Sequence, residues 1–144
     1  MKAVADASFL LPLVTRDAHT KAAARWWAGH AEVVAVSSLA LFESENALRS
    51  LRLRGLIGET DERNARRRLE GFTLQGLLEV HHLRPRLLVA EARRLIDHFS
   101  PEIPHGTLDV LHVAAARLLR AGTLASFDDN QRALAKSAGL EVAP

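Results

Sequence analysis

Hydrophobic and polar positions follow two periods along this chain, one of strands and one of helices, and the two alternate. Ala3-Val4-Ala5 is a short apolar run stopped by Asp6, long enough for a buried strand. Residues 7–14 then read as a short helix, with an interruption or restart expected near Pro12. Residues 18–30 read as a second, Ala-rich helix carrying Trp26-Trp27. Adjacent helix positions cannot both face inward, so one Trp is assigned to the core and the other to an interface. The β-branched run at 32–36 predicts the second strand, and Ser37-Ser38 offer a cap for the helix at 39–53. On a helical wheel Leu39, Ala40, Ala47, Leu48 and Leu51 face inward. Glu45, Arg49 and Arg52 face outward, with Glu45 and Arg49 spaced for an exposed pair.

Gly55 and Gly58 turn the chain into a basic helix at 60–69, where Arg63, Arg66, Arg67 and Arg68 are offset by Asp61, Glu62 and Glu70. Residues 77–80 predict a third strand ending at His81-His82, and 86–99 an amphipathic helix. Residues 100–106 read as a loop by their Pro and Gly content. The helix opening at Thr107 is apolar on nearly every side, from Val110 to Leu119, which buries it against the sheet until Gly122 ends it. Residues 123–127 form the next strand, with Asp128-Asp129 at its carboxyl end. A helix at 133–138 stopped by Gly139 and a last strand at 140–142 complete the succession. This β-α-β-α order predicts an α/β fold with a short parallel sheet flanked by helices on both faces. With 144 residues and no linker, repeat or low-complexity tract, residues 1–144 are expected to form a single domain.

Composition narrows the chemistry. There is no Cys, which excludes disulfides and thiolate metal sites. No apolar stretch approaches a membrane span, and Asp6 breaks the N-terminal run before any signal-peptide core can form. A cytoplasmic protein is the expectation. The formal net charge is only +2, yet the sequence pI is about 9.7 because Arg dominates the basic residues. If four acids were gathered in one pocket, the remaining surface would be distinctly basic. That suits a polyanion held by outer charges and a metal; an ordinary Arg-rich surface explains the charge as well.

Four acids stand where elements begin or end. Asp6 follows the first strand and Asp128 repeats its situation: apolar run, acid, helix. Carboxyl ends of parallel strands share one edge, where open α/β sheets bind ligands. Either acid can equally be a helix cap, and so can Asp129. Asp109 lies in the first turn of the buried helix, where capping could explain it, although Thr107 can also cap. Glu43 lies on the flank of the buried face of its helix, where a carboxylate needs a partner, a proton, a metal or a path to solvent. His112, one turn after Asp109, reads as a hydrogen-bonded core residue rather than a ligand. Crowded carboxylates repel, and a hard divalent cation relieves that cost; Mg²⁺ suits oxygen ligands and Mn²⁺ would also fit. Such a cation polarises a phosphate and activates a water.

The chain resembles the PIN-domain ribonucleases, and among them the VapC toxins of bacterial toxin–antitoxin pairs. The matching stretches are Asp6-Ala7-Ser8, Phe42-Glu43-Ser44-Glu45-Asn46-Ala47-Leu48, Leu108-Asp109-Val110-Leu111-His112-Val113-Ala114 and Ser126-Phe127-Asp128, in the family's order. The resemblance implies a PIN-like three-layer α/β/α fold and a metal-dependent endoribonuclease that uses Mg²⁺, with Mn²⁺ as a substitute. It places the acidic metal and catalytic site on Asp6, Glu43, Asp109 and Asp128, with Ser8 and Ser126 as supporting hydroxyls. It also implies an RNA substrate, a small VapB-like antitoxin and a homodimer. Asp129 departs from the pattern and leaves open which neighbour reaches the metal.

Other classes fit less of the chain. A dinucleotide-binding domain needs a Gly-rich turn after the first strand, and Ala7-Ser8-Phe9 has no Gly. An aspartyl-phosphate phosphotransfer enzyme could use Asp6 as nucleophile. It should also carry an Asp where Ser8 stands and a Lys at a later strand end; the only late Lys is Lys136, inside a helix. A non-catalytic binding module that keeps the fold is the third reading, and the four retained acids argue against it.

Overall fold

The computed structural model describes residues 2–99 and 104–144. Most of the loop expected at 100–106 lies outside the described residues. The elements run β1(Ala3–Ala5), α1(Ala7–Val14), α2(Thr20–Gly29), β2(Val34–Ser37), α3(Ser38–Leu53), α4(Glu59–Leu74), β3(Leu78–His81), α5(Pro85–His98), α6(Thr107–Leu118), β4(Thr123–Ala125), α7(Asp129–Ser137), β5(Glu141–Ala143).

The five strands form one parallel sheet in the order β3-β2-β1-β4-β5. Period-2 alternation splits the strand residues between two cores. Ala5, Val34, Val36, Leu78 and Ala125 pack with Phe9, Leu13, Leu48 and Leu69 on one face. Val4, Ala35 and Leu124 pack with Leu95, Val113 and Leu134 on the other. The first four helices cover one side and the last three the other, giving a three-layer α/β/α fold. The chain builds outward from β1 in one direction to β3, then returns beside β1 and builds outward the other way. The reversal lies between β1 and β4, and sheets of this kind bind ligands at the carboxyl edge of that point. No helix among the described residues is long and apolar enough to cross a membrane.

Several boundaries differ from the sequence expectation, each for a local reason. Helix α1 runs through Pro12 unbroken; the proline ring is fully buried, and that packing offsets the amide bond it cannot make. Helix α2 starts at Thr20 because Asp17 and Thr20 lock a turn before it: His19 N–H donates to Asp17 Oδ1 at 2.7 Å, and Asp17 N–H to Thr20 Oγ1 at 2.9 Å. Strand β2 spans Val34–Ser37, the residues that β3 can pair. Helix α6 is capped by Gly106 rather than Thr107, and the chain turns after it at Arg120, which adopts φ 55°, rather than at Gly122. Strand β4 stops at Ala125, and Asp128 starts α7 four residues earlier than expected. On α3 the most buried line is Ala40, Ser44 and Leu48, and Glu45 faces Arg66 of α4 at 3.8 Å instead of pairing with Arg49. Neither Trp is fully buried; both rest on Phe9, with ring centroids 5.1 Å away for Trp26 and 6.3 Å for Trp27.

Candidate active site

The register Ala5↔Ala125 makes Asp6 and Ser126 neighbours as they leave the sheet, tied by Asp6 N–H donating to the Ala125 carbonyl at 3.1 Å. Asp6 is 1% exposed and caps α1, accepting the Phe9 N–H at 2.9 Å. The Ser8 hydroxyl donates to Asp6 Oδ1 at 2.8 Å and the Ser126 hydroxyl to Oδ2 at 2.6 Å. Both hydroxyls are themselves oriented: Ser8 Oγ accepts the Phe127 N–H at 2.9 Å, and Ser126 Oγ accepts the Asp128 N–H at 3.1 Å. Burial nevertheless pushes the Asp6 carboxyl up to about 6, outweighing the hydrogen bonds from Ser126, Ser8 and Phe9 and the charge of His112. Asp6 is thus an anion near neutral pH that its surroundings under-compensate.

Glu43 lies in the second turn of α3, half-buried, with Oε2 2.5 Å from Nε2 of buried His112 on α6. The carboxylate that needed a partner has a histidine, and His112 is the hydrogen-bonded core residue its position suggested. Asp109, in the first turn of the same helix, accepts from Gln131 Nε2 at 3.2 Å. Asp128 caps α7, taking the Gln131 N–H at 2.9 Å, while Asp129 is the exposed first residue of that helix. Asp6, Ser8, Ser126, Asp128, Gln131 and Asp109 therefore form one connected hydrogen-bond path. The His112 pair joins Glu43 to the helix that carries Asp109. The N-termini of α1 and α7 open at this edge, where their dipoles favour anions.

Among the described residues, no three Asp, Glu or His side chains stand close enough to hold a metal ion between them. Gln131 and His112 hold the acids in place: Gln131 bonds Asp109 and Asp128, and His112 bonds Glu43. The donor set still fits a hard divalent cation: all four candidate ligands are carboxylates, and the most buried is held above its ordinary pKa. Gln131 was not singled out in the sequence. Its signal is the Asp128-x-x-Gln131 spacing of a capping box, which points the side chain back toward the start of its helix.

A family model for the PIN domain matches residues 3–137. No curated protein matches the chain significantly. Among solved structures the chain is similar to VapC20 of Mycobacterium tuberculosis, described as a sarcin-ricin loop cleaving toxin, at TM-score 0.73 and 22% identity over 99% of this chain and 100% of that one. It is similar to FitAcB of Neisseria gonorrhoeae at TM-score 0.71 and 14% identity, over 99% of this chain and 96% of that one. A third likeness is to VapBC2 of Rickettsia felis bound to a DNA fragment from their promoter, at TM-score 0.67 and 14% identity over 99% and 97% of the two chains. At these identities the likeness is one of fold.

Proposed function

The chain belongs to the PIN-domain family, and from that premise we propose that it is an endoribonuclease dependent on Mg²⁺ or Mn²⁺ and the toxin of a toxin–antitoxin pair. The observation that supports this most is Asp6: a carboxylate 1% exposed, at the switch point of the sheet, with a pKa raised to about 6. A helix cap alone does not need that burial. In this reading Asp6, Asp109 and Asp128 would hold the cation once Asp109 and Asp128 turn from the Gln131 bonds they now make, and Glu43 would complete the pocket as a ligand or by orienting the attacking water. When bound, the cation neutralises phosphate charge and lowers the pKa of a water.

The chain's own residues do the rest. Ser8 and Ser126 fix both oxygens of Asp6, so its carboxylate is held in one orientation. His112 holds Glu43 against α6. The N-termini of α1 and α7 bias the edge toward the anionic backbone of RNA. Arg67 and Arg68 are exposed on α4 and make no ion pair among the described residues, so they are placed to meet phosphates, whereas Arg66 is engaged with Glu62 and Glu45. The aspartyl-phosphate alternative loses ground because Ser8 stands where its second Asp would be, and Lys136, the late Lys, lies in the last turn of α7. The likeness to VapC20 and VapBC2 supports a small antitoxin as partner. One domain over 1–144, a homodimer and a cytoplasmic location complete the proposal.

The test is incubation of purified protein with total RNA, with Mg²⁺, Mn²⁺ or EDTA, followed by sequencing of new ends. New ends at defined positions only with the cation are expected. Intact RNA under every cation condition would refute the nuclease reading.

A further inference from the structure

Gln131 is the third residue of α7 and is 5% exposed. In a capping box its side chain would return to the N–H of the cap residue. That N–H, of Asp128, is already given to Ser126 Oγ. The carboxamide reaches across to α6 instead, where Nε2 donates to Asp109 Oδ1 at 3.2 Å. An ionised carboxylate can only accept, so the amide is oriented with Nε2 toward Asp109 and Oε1 away from it. Oε1 is buried and has no hydrogen-bond partner among the described residues. Buried acceptors are rarely left so, because the group loses water and gains nothing in return.

We propose that Gln131 is a positioning residue of the acid site: Nε2 holds Asp109, and Oε1 accepts a hydrogen bond from a water that enters the site with a divalent cation. The inference rests on the cation-dependent reading above and adds a residue to it. Gln131 spans the gap between two of the acids, since its backbone N–H meets Asp128 and its side chain meets Asp109. One side chain thus couples the first turns of α6 and α7. The unfilled oxygen matches the one hydrogen-bonding species, water, that hydrated hard cations bring with them.

The experiment uses the full chain and Mn²⁺ alone as the probe, with thermal unfolding as the readout. Gln131→Met keeps the length of the side chain and the backbone N–H that Asp128 caps, and it removes both amide functions. The expected result is a metal-free Tm close to the parent's, because the unpartnered oxygen is removed together with the amide's bond to Asp109. The Mn²⁺ concentration giving half the Tm rise should increase about tenfold or more, the usual scale for residues that orient metal ligands. A lower metal-free Tm with an unchanged Mn²⁺ midpoint would mean a packing role and overturn the inference. Gln131→Glu is the second variant: a carboxylate against Asp109 should lower the metal-free Tm and enlarge the Mn²⁺-induced rise. Both values unchanged would again overturn it. A parent that shows no Mn²⁺-induced rise removes the cation reading and this inference together; a parent that responds, beside a Met variant with the same midpoint, removes this inference alone.

Discussion

Replacing Asp6 with Asn removes one negative charge from a site that accommodates it at a cost. The carboxyl stands at about 6 in the folded chain against an ordinary value of 3.8, chiefly through burial. At about 1.36 kcal/mol per pKa unit, that gap is worth about 3 kcal/mol. The sign follows from the direction. A raised folded pKa means that the native state holds the proton more tightly than the unfolded chain does. The contribution is fully favourable below pH 3.8 and is lost as pH rises through about 6. The metal-free parent is therefore penalised at pH 8, and Asn escapes the penalty. Asn Oδ1 can still accept from Ser8 and Phe9 N–H, and Nδ2 can donate to Ser126 Oγ. Ser126 can then turn its proton to Ser8 Oγ, 3.1 Å away. After allowing about 1 kcal/mol for weaker, uncharged hydrogen bonds, Asp6→Asn should be more stable than the parent by about 1–3 kcal/mol at pH 8. At pH 4 the advantage should vanish. Urea unfolding in EDTA at both pH values measures it. A variant less stable at pH 8, or a difference independent of pH, would refute the under-compensated charge.

Millimolar Mn²⁺ or Mg²⁺ should raise the Tm of the parent and EDTA should reverse it, because a cation that binds only the folded acid site stabilises it by mass action; a flat Tm would count against the site. Charge reversal at Arg67 and Arg68 should weaken RNA binding about equally for all sequences and flatten its salt dependence, and unchanged binding would reduce these residues to a solvated face. Arg66→Ala should instead lower stability, by about 1 kcal/mol or less, since its partly exposed guanidinium bridges Glu62 and Glu45. Expression of the protein alone should arrest growth, and co-expression of a small cognate partner should restore it; healthy growth with verified folded protein would remove the toxin role.

The sheet was legible because its central strands β1, β2 and β4 are short, apolar and followed by an acid or Ser, and because the order of elements leaves a parallel arrangement as the simplest packing. Boundaries moved wherever a side chain outside the hydrophobic pattern set them. Asp17 and Thr20 delayed α2, Asp128 advanced α7, and Arg120 made the turn expected of Gly122. The two Trp residues share Phe9, an arrangement that wheel geometry alone does not give, because it depends on the angle at which α2 crosses α1. The positions of Asp6 and Asp128 at one sheet edge were readable from strand direction. The partners were less so. Glu43 and His112 are 69 residues apart in sequence, and Asp109 and Gln131 are 22 apart. Such pairs arise only once the sheet brings α3 and α6 to the same edge from opposite faces and α7 packs against α6, and no local periodicity encodes them.

The acid site is tested most directly by Mn²⁺-dependent RNA cleavage with the parent and Asp6→Asn, purified identically and shown free of host nucleases. The parent should cut RNA with Mn²⁺ and stop in EDTA. Asp6→Asn, folded and at least as stable without metal, should lose most or all of that rate. An Asp6→Asn protein that cuts RNA at the parent rate would contradict a hydrolytic site built on these carboxylates.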